Sequence, residues 1–359
     1  MSRRIAFRVD GDAHVGLGHL SLCRSLARSF ARELGAACHF VMLERSRTPA
    51  VEAWLEAAGI ERWSASGDDP DRTCPERERA ALAAIDPDLV VLDRLTADPS
   101  DGDFHADPGV ELIDVPKVLD ALRRAGHRVL AVTYESRPVA WPCDALLAIH
   151  PGQLAHAVTE GPVRFVGPRY YPVDPDLAEL RERSAPLEGP LCASLFFGGA
   201  DPDGLTLRAA RALRECGAEL HVVLGAVNPL RGAALAELEA CVTSVRRAPA
   251  SLIGELAQSQ LAVTAAGHTL FELAWLGMPA LVLSTRDRQA DSARYFDDQG
   301  AVAHLGRFDR VDDGALRAAF EGLLRAPERR ARMRESGRTL VDGHGARRIA
   351  ARLREEGWL

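Results

Sequence analysis

Lysine is nearly absent from this chain of 359 residues: Lys117 is the only one, and almost all positive charge is arginine. A general nucleic-acid binder would show a basic stripe, and the formal net charge of −7 argues against that class of protein. An arginine side chain can hold a phosphate through two parallel hydrogen bonds. The arginine-rich composition is therefore compatible with a phosphorylated small-molecule ligand.

The cysteines and histidines lack the spacing of a metal site. None of the seven cysteines forms a C-x-x-C pair, and the eleven histidines do not cluster at the spacing of metal ligands. The cysteines are therefore expected to be reduced thiols. A P-loop, an H-E-x-x-H motif and a G-x-S-x-G nucleophile elbow are also missing. We predict an enzyme that uses no metal and no cofactor.

Long apolar runs are missing as well. No stretch reaches the roughly 18 apolar residues of a membrane span. Arg8 and Asp10 interrupt the apolar run that would have to follow the basic start of a signal peptide. The sequence predicts a cytoplasmic protein with no stable membrane insertion, and it leaves the oligomeric state open.

Apolar residues make up 47% of the chain, and they occur as short runs that alternate with helical patterns. This alternation predicts parallel βαβ units, and the length suits two domains of roughly 150 residues. We expect an α/β protein of two Rossmann-like domains that face a cleft. The predicted strands are residues 5–9, 38–43, 89–92, 128–132, 145–149, 191–197, 220–224, 261–264 and 279–283.

Five prolines between residues 167 and 190 indicate a linker. The predicted division is an N-terminal domain over residues 1–170, a linker over 171–189, and a C-terminal domain over 190–359 that ends in helices. In open parallel sheets, ligands bind at the carboxyl ends of the strands. The loops that follow the strands are therefore the places to look for functional residues.

The first such loop follows the strand 5–9 and runs from Asp10 to His19. Gly16 and Gly18 allow the backbone to approach a ligand closely, and with Asp10 they are predicted to contact a sugar. His19 opens the next helix, where its imidazole could accept a proton from water or a hydroxyl. The alternative is a tight turn with a solvent-facing histidine. Ser21 replaces the third glycine of a dinucleotide fingerprint, so dinucleotide binding is weakly supported.

Two loops in the second half carry similar features. Gly198 and Gly199 follow a strand end and suit the close approach of a ligand, although a plain turn has the same pattern. The residues 267–269 begin a helix, whose amides could bind a diphosphate. Glu272 could then bond the ribose hydroxyls. The alternative for Thr269 and Glu272 is a helix-capping box, which has the same spacing.

A fourth loop, residues 286–289, follows the strand 279–283. Its polar side chains, Gln289 among them, could hold sugar hydroxyls. A solvated loop is the alternative reading.

Taken together, these motifs resemble the UDP-sugar hydrolase family of pseudaminic acid biosynthesis, within the glycosyltransferase-B superfamily. The resemblance runs from about residue 5 to about residue 305. It includes the turn 16–19, the segment 167–170, the loop 197–202, the segment 223–229 and the helix start 265–279.

The resemblance implies a role for each matching residue. His19 would be the general base or the group that positions water. Gly267, His268 and Thr269 would hold the diphosphate, together with Gly198 and Gly199. Glu272 would bind the ribose, and Gln289 the sugar. The implied reaction is attack of water on the anomeric carbon of a UDP-linked amino- or deoxy-sugar, with UDP leaving.

The chain departs from the family pattern near the expected sugar and nucleotide sites, at Leu22, Arg94, Leu95, the pair 133–134 and His268. Which sugar and which nucleotide are bound therefore stay open. Two other functions also stay open. One is a glycosyltransferase that moves the sugar to an acceptor, and the other is a silent nucleotide-sugar binder.

Overall fold

The computed structural model describes residues 3–11, 17–65, 74, 76–94, 114–135, 139–151, 161–183 and 191–359. The chain folds as two compact units. The first comprises residues 1–175 and 343–359, and the second comprises residues 176–342. Each unit is built on a parallel sheet with helices, which confirms the predicted α/β class.

The described part of the first unit holds a parallel sheet in which the strand order reverses in the middle. Its strands are β1 (Arg4–Val9), β2 (Ala37–Leu43), β3 (Glu61–Ala65), β4 (Leu89–Asp93), β5 (Val129–Thr133), β6 (Ala145–Ala148) and β7 (Val163–Val166). They are hydrogen-bonded in the order β3-β2-β1-β4-β5-β6-β7. Val9 at the end of β1 lies opposite Asp93 at the end of β4. The carboxyl ends of these two strands form the topological switch point, where such sheets bind ligands.

The helices of this unit cover the sheet and bury its apolar side chains. In chain order they begin with α1 (Gly18–Leu34), α2 (Pro49–Glu56), α3 (Glu76–Ile85) and α4 (Val115–Arg124). Helix α1 follows β1, and it buries Leu22, Leu26 and Phe30 on one face, as an amphipathic helix does. It ends at Gly35, whose φ of 63° is the left-handed conformation that glycine favours. This packing fixes the first turn of α1 beside the switch point.

The second unit repeats the arrangement with six strands in its described part. They are β8 (Cys192–Phe196), β9 (Glu219–Leu224), β10 (Ser244–Arg247), β11 (Leu261–Ala265), β12 (Ala280–Ser284) and β13 (Ala303–Arg307). Their order is β10-β9-β8-β11-β12-β13, so the switch point lies between β8 and β11. The helices are α5 (Ala178–Arg183), α6 (Leu205–Leu213), α7 (Gly232–Cys241), α8 (Leu252–Leu256), α9 (Thr269–Leu276), α10 (Asp287–Asp298), α11 (Asp313–Leu324) and α12 (Pro327–Leu340).

The last helix, α13 (Gly345–Glu355), belongs to the first unit, where it packs against α1. Gly345 lies so close to the backbone of Tyr170 and Tyr171 that a Cβ there would be 2.4 Å from the Tyr171 carbonyl oxygen. The predicted division placed residues 190–359 in one domain and differs from the structure in this respect. Only the tertiary packing against α1 reveals where the helix belongs, since its amphipathic pattern would suit either sheet. The boundary between the units, at residues 175 and 176, falls inside the predicted linker.

All nine predicted strands are present, and the four unpredicted strands β3, β7, β10 and β13 are the edges of the two sheets. In the described part of the chain, no helix is long and apolar enough to cross a bilayer.

Candidate functional site

The side chains at the first switch point come from three elements of one sheet edge. His19 lies in the first turn of α1, Asp93 ends β4, and Tyr134 directly follows β5. These residues are 74 and 41 positions apart in the sequence. The parallel order of β1, β4 and β5 brings them together because the carboxyl ends of parallel strands meet at one edge.

His19 and Asp93 form a hydrogen-bonded pair. Nδ1 of His19 lies 2.7 Å from Oδ1 of Asp93. The carboxylate is fully buried, whereas the imidazole keeps 13% of its side-chain surface exposed. A carboxylate only accepts hydrogen bonds, so in the neutral imidazole Nδ1 carries the proton and Nε2 carries the lone pair. An imidazole held in this tautomer by a carboxylate is the arrangement of a general base.

The second oxygen of Asp93 has donors of its own. The Tyr134 hydroxyl donates to Oδ2 over 2.8 Å, and the Cys23 thiol donates to the same oxygen over 3.4 Å. Burial, followed by the nearby Asp93, raises the pKa of Tyr134 well above its ordinary value, and the same two causes raise the pKa of Cys23. Both groups therefore stay protonated and act as donors. Three donors offset the cost of burying the carboxylate.

Asp10, predicted to contact a sugar, lies in a buried ion-pair network. Its Oδ2 accepts a hydrogen bond from Arg8 and forms an ion pair with Arg94, and its Oδ1 accepts a hydrogen bond from the backbone amide of Leu43. Arg8 also forms an ion pair with Glu78. Because Asp10 begins the loop to α1 and Arg94 directly follows Asp93, the network joins the ends of β1 and β4. Its carboxylate oxygens are thus already engaged by protein groups.

The glycines of the first loop are only partly described. Gly18 is the first residue of α1 and is half-buried. Gly16 lies outside the described residues. One departure from the family pattern can be placed on α1. Leu22 is fully buried in the core, and Arg24, two residues further on, forms an ion pair with Asp174 at 2.6 Å.

The first loop of the second unit follows β8 and requires a glycine at residue 198, and the loop that it contacts requires one at residue 225. Gly198 has a φ of 98°, which side-chain-bearing residues rarely adopt. A Cβ on Gly225, at the end of β9, would lie 2.3 Å from the carbonyl oxygen of Gly199. The two loops therefore pack backbone against backbone. Asp201 ends this turn by accepting hydrogen bonds from the amides of Leu205 and Thr206, which caps α6.

The loop after β11 leads directly into α9, which begins at Thr269. The N-cap residue is His268, whose side chain makes no capping hydrogen bond, and Thr269 is the first helical residue. Thr269 therefore does not occupy the N-cap position that a capping box with Glu272 requires. The amides of a first helical turn have no carbonyl partner within their helix and favour an anion. Gly267, His268, Thr269 and Glu272 are all half-buried at this end of the helix.

No packing constraint among the described residues explains Gly267, a property that it shares with Gly322 of α11. A Cβ added there would meet no atom of the described residues within 4 Å, and its φ is not in the left-handed region. Protein packing and backbone conformation would both tolerate alanine. The open space beside Gly267 lies at the N-terminus of α9, at the second switch point.

The C-terminus of α9 is held by arginines of α12. Arg334 donates to the carbonyl of Gly277 over 3.0 Å, and Arg338 donates to that of Leu276 over 3.1 Å. Cations at this end stabilise the helix dipole. Gly337 allows close packing of the two helices, since a Cβ there would lie 2.8 Å from the Ala274 carbonyl oxygen. Arginines of α12 thus fix the C-terminal end of α9.

Gln289 lies in the first turn of α10, so the fourth predicted loop is partly helical. Its Oε1 accepts hydrogen bonds from the amide and the hydroxyl of Thr285, at 3.0 and 2.8 Å. This pairing fixes the turn between β12 and α10. It leaves Nε2, the other polar atom of the side chain, as a hydrogen-bond donor.

Sequence reasoning identified His19 but missed both Asp93 and Tyr134 as its neighbours. The available signal was a carboxylate directly after four apolar strand residues, at the edge where ligands bind. Within the described residues, no group of three or more His, Cys, Asp or Glu side chains could hold a metal ion.

No protein-family model matches the chain. Over 196 residues, or 53% of its length, it is 27% identical to the spore coat polysaccharide biosynthesis protein SpsG of Bacillus subtilis (strain 168). The match covers 58% of SpsG, so the chain spans a little over half the length of this curated relative.

Solved structures share the fold over almost the whole chain. MurG of Acinetobacter baumannii has a TM-score of 0.64 at 12% identity, covering 98% of this chain and 99% of MurG. UGT2 of Phytolacca americana was solved with UDP-2fluoro-glucose and pterostilbene. It has a TM-score of 0.68 at 12% identity, and the match covers 99% of this chain and 100% of UGT2. Identities this low indicate the fold alone. The chain has the glycosyltransferase-B fold, as its sequence predicted.

Proposed function

We propose that this protein is a nucleotide-sugar hydrolase in which His19, oriented by Asp93, activates water for attack on the anomeric carbon of a UDP-linked sugar. The observation that carries the proposal is the 2.7 Å contact from Nδ1 of His19 to the buried carboxylate. That contact assigns the lone pair to Nε2, on an imidazole that keeps some exposure.

The proposed chemistry needs one proton acceptor and one leaving group. Nε2 takes a proton from water while the water oxygen forms a bond to the anomeric carbon. The bond from that carbon to the diphosphate oxygen breaks, and its electron pair leaves with UDP. Asp93 stabilises the imidazolium that forms. The products are UDP and the free sugar, and the proton on His19 returns to solvent.

We assign the leaving diphosphate to the second unit. The first-turn amides of α9, at Gly267, His268 and Thr269, provide donors and the positive end of the helix dipole. Such preorganised donors stabilise the charge that develops on a leaving group. The loop with Gly198 and Gly199 brings a second stretch of backbone to the same switch point.

The remaining contacts are proposed for the ribose and the sugar. Glu272, one turn into α9, would accept hydrogen bonds from the ribose hydroxyls. Gln289 would donate through Nε2 to the sugar, and Gly16 and Gly18 would allow its close approach. For Asp10 we propose a different task, to hold the loop that leads to α1, because its oxygens already bond to protein groups.

The relative supports a role in sugar biosynthesis. SpsG is a spore coat polysaccharide biosynthesis protein, and we extend sugar biosynthesis to this chain. An amino- or deoxy-sugar linked to UDP is the proposed substrate class, and it rests on the resemblance of the sequence motifs.

A glycosyltransferase is the second candidate. The same Nε2 could activate the hydroxyl of an acceptor in place of water. UGT2 favours this candidate, since its structure contains a UDP-sugar analogue together with pterostilbene.

The test is release of nucleoside diphosphate from a panel of UDP-, GDP- and CDP-sugars without any acceptor. We expect release from a UDP-sugar, and a fall in kcat of roughly a hundredfold or more in His19→Gln. The matched control is His221→Gln, which removes a histidine of β9 that bonds Ser244. Release that starts only when an acceptor is added would support the transferase, and nucleotide binding without turnover under any condition would refute both enzymes.

A further inference from the structure

The carboxylate of Asp93 has different partners on its two oxygens. Oδ1 faces the His19 imidazole at 2.7 Å, and Oδ2 accepts from Tyr134 at 2.8 Å and from Cys23 at 3.4 Å. A carboxylate can rotate about its Cβ–Cγ bond, so its orientation depends on these donors. The Tyr134 hydroxyl is the stronger of the two on Oδ2, because an O–H donor at this distance forms a better hydrogen bond than a distant thiol.

Tyr134 is itself held in place. Its ring lies edge-on to the His19 ring, with centroids 4.4 Å apart, and edge-on to the His150 ring at 6.0 Å. Its backbone directly follows β5, in which Thr133 pairs with Ala148 of β6. The side chain is buried, and the raised pKa of the phenol keeps it a donor. One buried ring therefore contacts both members of the pair.

We propose that Tyr134 is a positioning residue, whose hydroxyl holds the Asp93 carboxylate in the orientation that keeps His19 in one tautomer. The inference rests on the proposed function, in which Nε2 of His19 is the base. Tyr134 moves no proton and touches no substrate. It acts through Asp93, and its loss lets the carboxylate turn away from Nδ1.

The test compares Tyr134→Phe with wild type, which removes only the hydroxyl. Nitrogen-15 NMR of the imidazole in the free protein reports the tautomer of His19. We expect the Nδ1–H tautomer alone in wild type and a mixture of both tautomers in the variant. In turnover, kcat should fall about tenfold while KM stays within about twofold, since the hydroxyl acts on the base and not on binding.

Two variants make the test specific. Tyr170→Phe removes a hydroxyl of the same unit from a ring that packs on Phe165, and it should change neither readout. Cys23→Ala removes the weaker donor to Oδ2 and should have a smaller effect in the same direction.

A folded Tyr134→Phe protein with the wild-type tautomer and kcat would overturn the proposal. Should that variant not fold, the carbon-13 shift of the Tyr134 Cζ is compared between wild type and Asp93→Asn, because it reports the hydrogen bond that the hydroxyl donates. The shift should change when the carboxylate acceptor is replaced, and an unchanged shift would overturn the proposal as well. Absence of nucleotide release by wild type, with the tautomer effect intact, would refute the hydrolase and leave the positioning role standing.

Discussion

At the switch point of the first sheet the candidate groups are side chains, whereas at the switch point of the second they belong mostly to the backbone. His19, Asp93 and Tyr134 form a buried hydrogen-bonded set in the first unit. In the second unit, Gly198, Gly199 and the start of α9 offer amides and open space. One topology thus presents two kinds of candidate groups, and we propose proton transfer for the side chains and anion binding for the amides.

The comparison predicts that substitutions in the first unit change turnover, and that substitutions in the second change binding. The largest effect is expected for Asp93→Asn, which keeps the shape but supplies an amide where Nδ1–H needs an acceptor. We expect kcat to fall on the order of a thousandfold, with UDP affinity unchanged. The measurement is steady-state turnover together with calorimetric UDP binding. The control is Asp88→Asn, an exposed aspartate that accepts from the Arg4 amide. Loss of UDP binding in Asp93→Asn would contradict the assignment of turnover to the first unit and binding to the second.

A smaller effect is expected for Glu272→Ala in the second unit. Hydrogen bonds to a charged group contribute about 1.5–3 kcal/mol, so loss of the ribose contact should weaken UDP binding roughly 10- to 100-fold. Thermal shift with UDP measures it, because a ligand at 100 times its dissociation constant stabilises the fold by about 2.7 kcal/mol. Glu239→Ala, an exposed residue of α7, is the matched control. If the variant responds to UDP as wild type does, the assignment of Glu272 to the ribose is wrong.

A pair of glycine substitutions separates binding from folding. Gly267→Ala adds a methyl group where no described atom lies within 4 Å, so the melting temperature should be unchanged while UDP affinity drops about tenfold. Gly337→Ala forces a methyl group to 2.8 Å from the Ala274 carbonyl and should destabilise the fold by about 1–3 kcal/mol. The interpretation of Gly267 is wrong if its variant binds UDP normally.

The smallest effect is expected at the far end of α9. Arg338→Met retains much of the stem but removes the donor to the Leu276 carbonyl. We expect a loss of about 1 kcal/mol of stability and a slight loss of UDP affinity. Chemical denaturation measures the first effect. Arg332→Met, on an exposed part of α12, should leave stability unchanged.

The strands that the sequence missed show why pattern reading has limits. The nine predicted strands are buried, and their apolar runs are nearly continuous. The edge strands are partly exposed; β3, β10 and β13 are rich in polar residues, as in Ser244–Arg247, and β7 has only four residues. An edge strand packs fewer apolar neighbours, so its composition resembles that of a loop.

The site residues show the same limit. Gly267, Thr269 and Glu272 could be placed at one helix start because they are neighbours in the sequence. Asp10 and Gln289 were chosen for their polarity at strand ends, yet their oxygens bond Leu43 and Thr285. A polar residue at the carboxyl end of a strand can therefore bind either a ligand or the protein itself, and the sequence does not distinguish the two.

The sequence by itself determined the α/β class, the central strands, the three glycine-containing loops and the position of His19 at a helix start. Those features depend on local periodicity and on turn chemistry, which neighbouring residues encode. Only the tertiary structure decided that Asp93 orients His19, that Tyr134 meets Asp93, and that α13 packs in the first unit. These contacts join residues far apart in the chain, and strand order and helix packing set them.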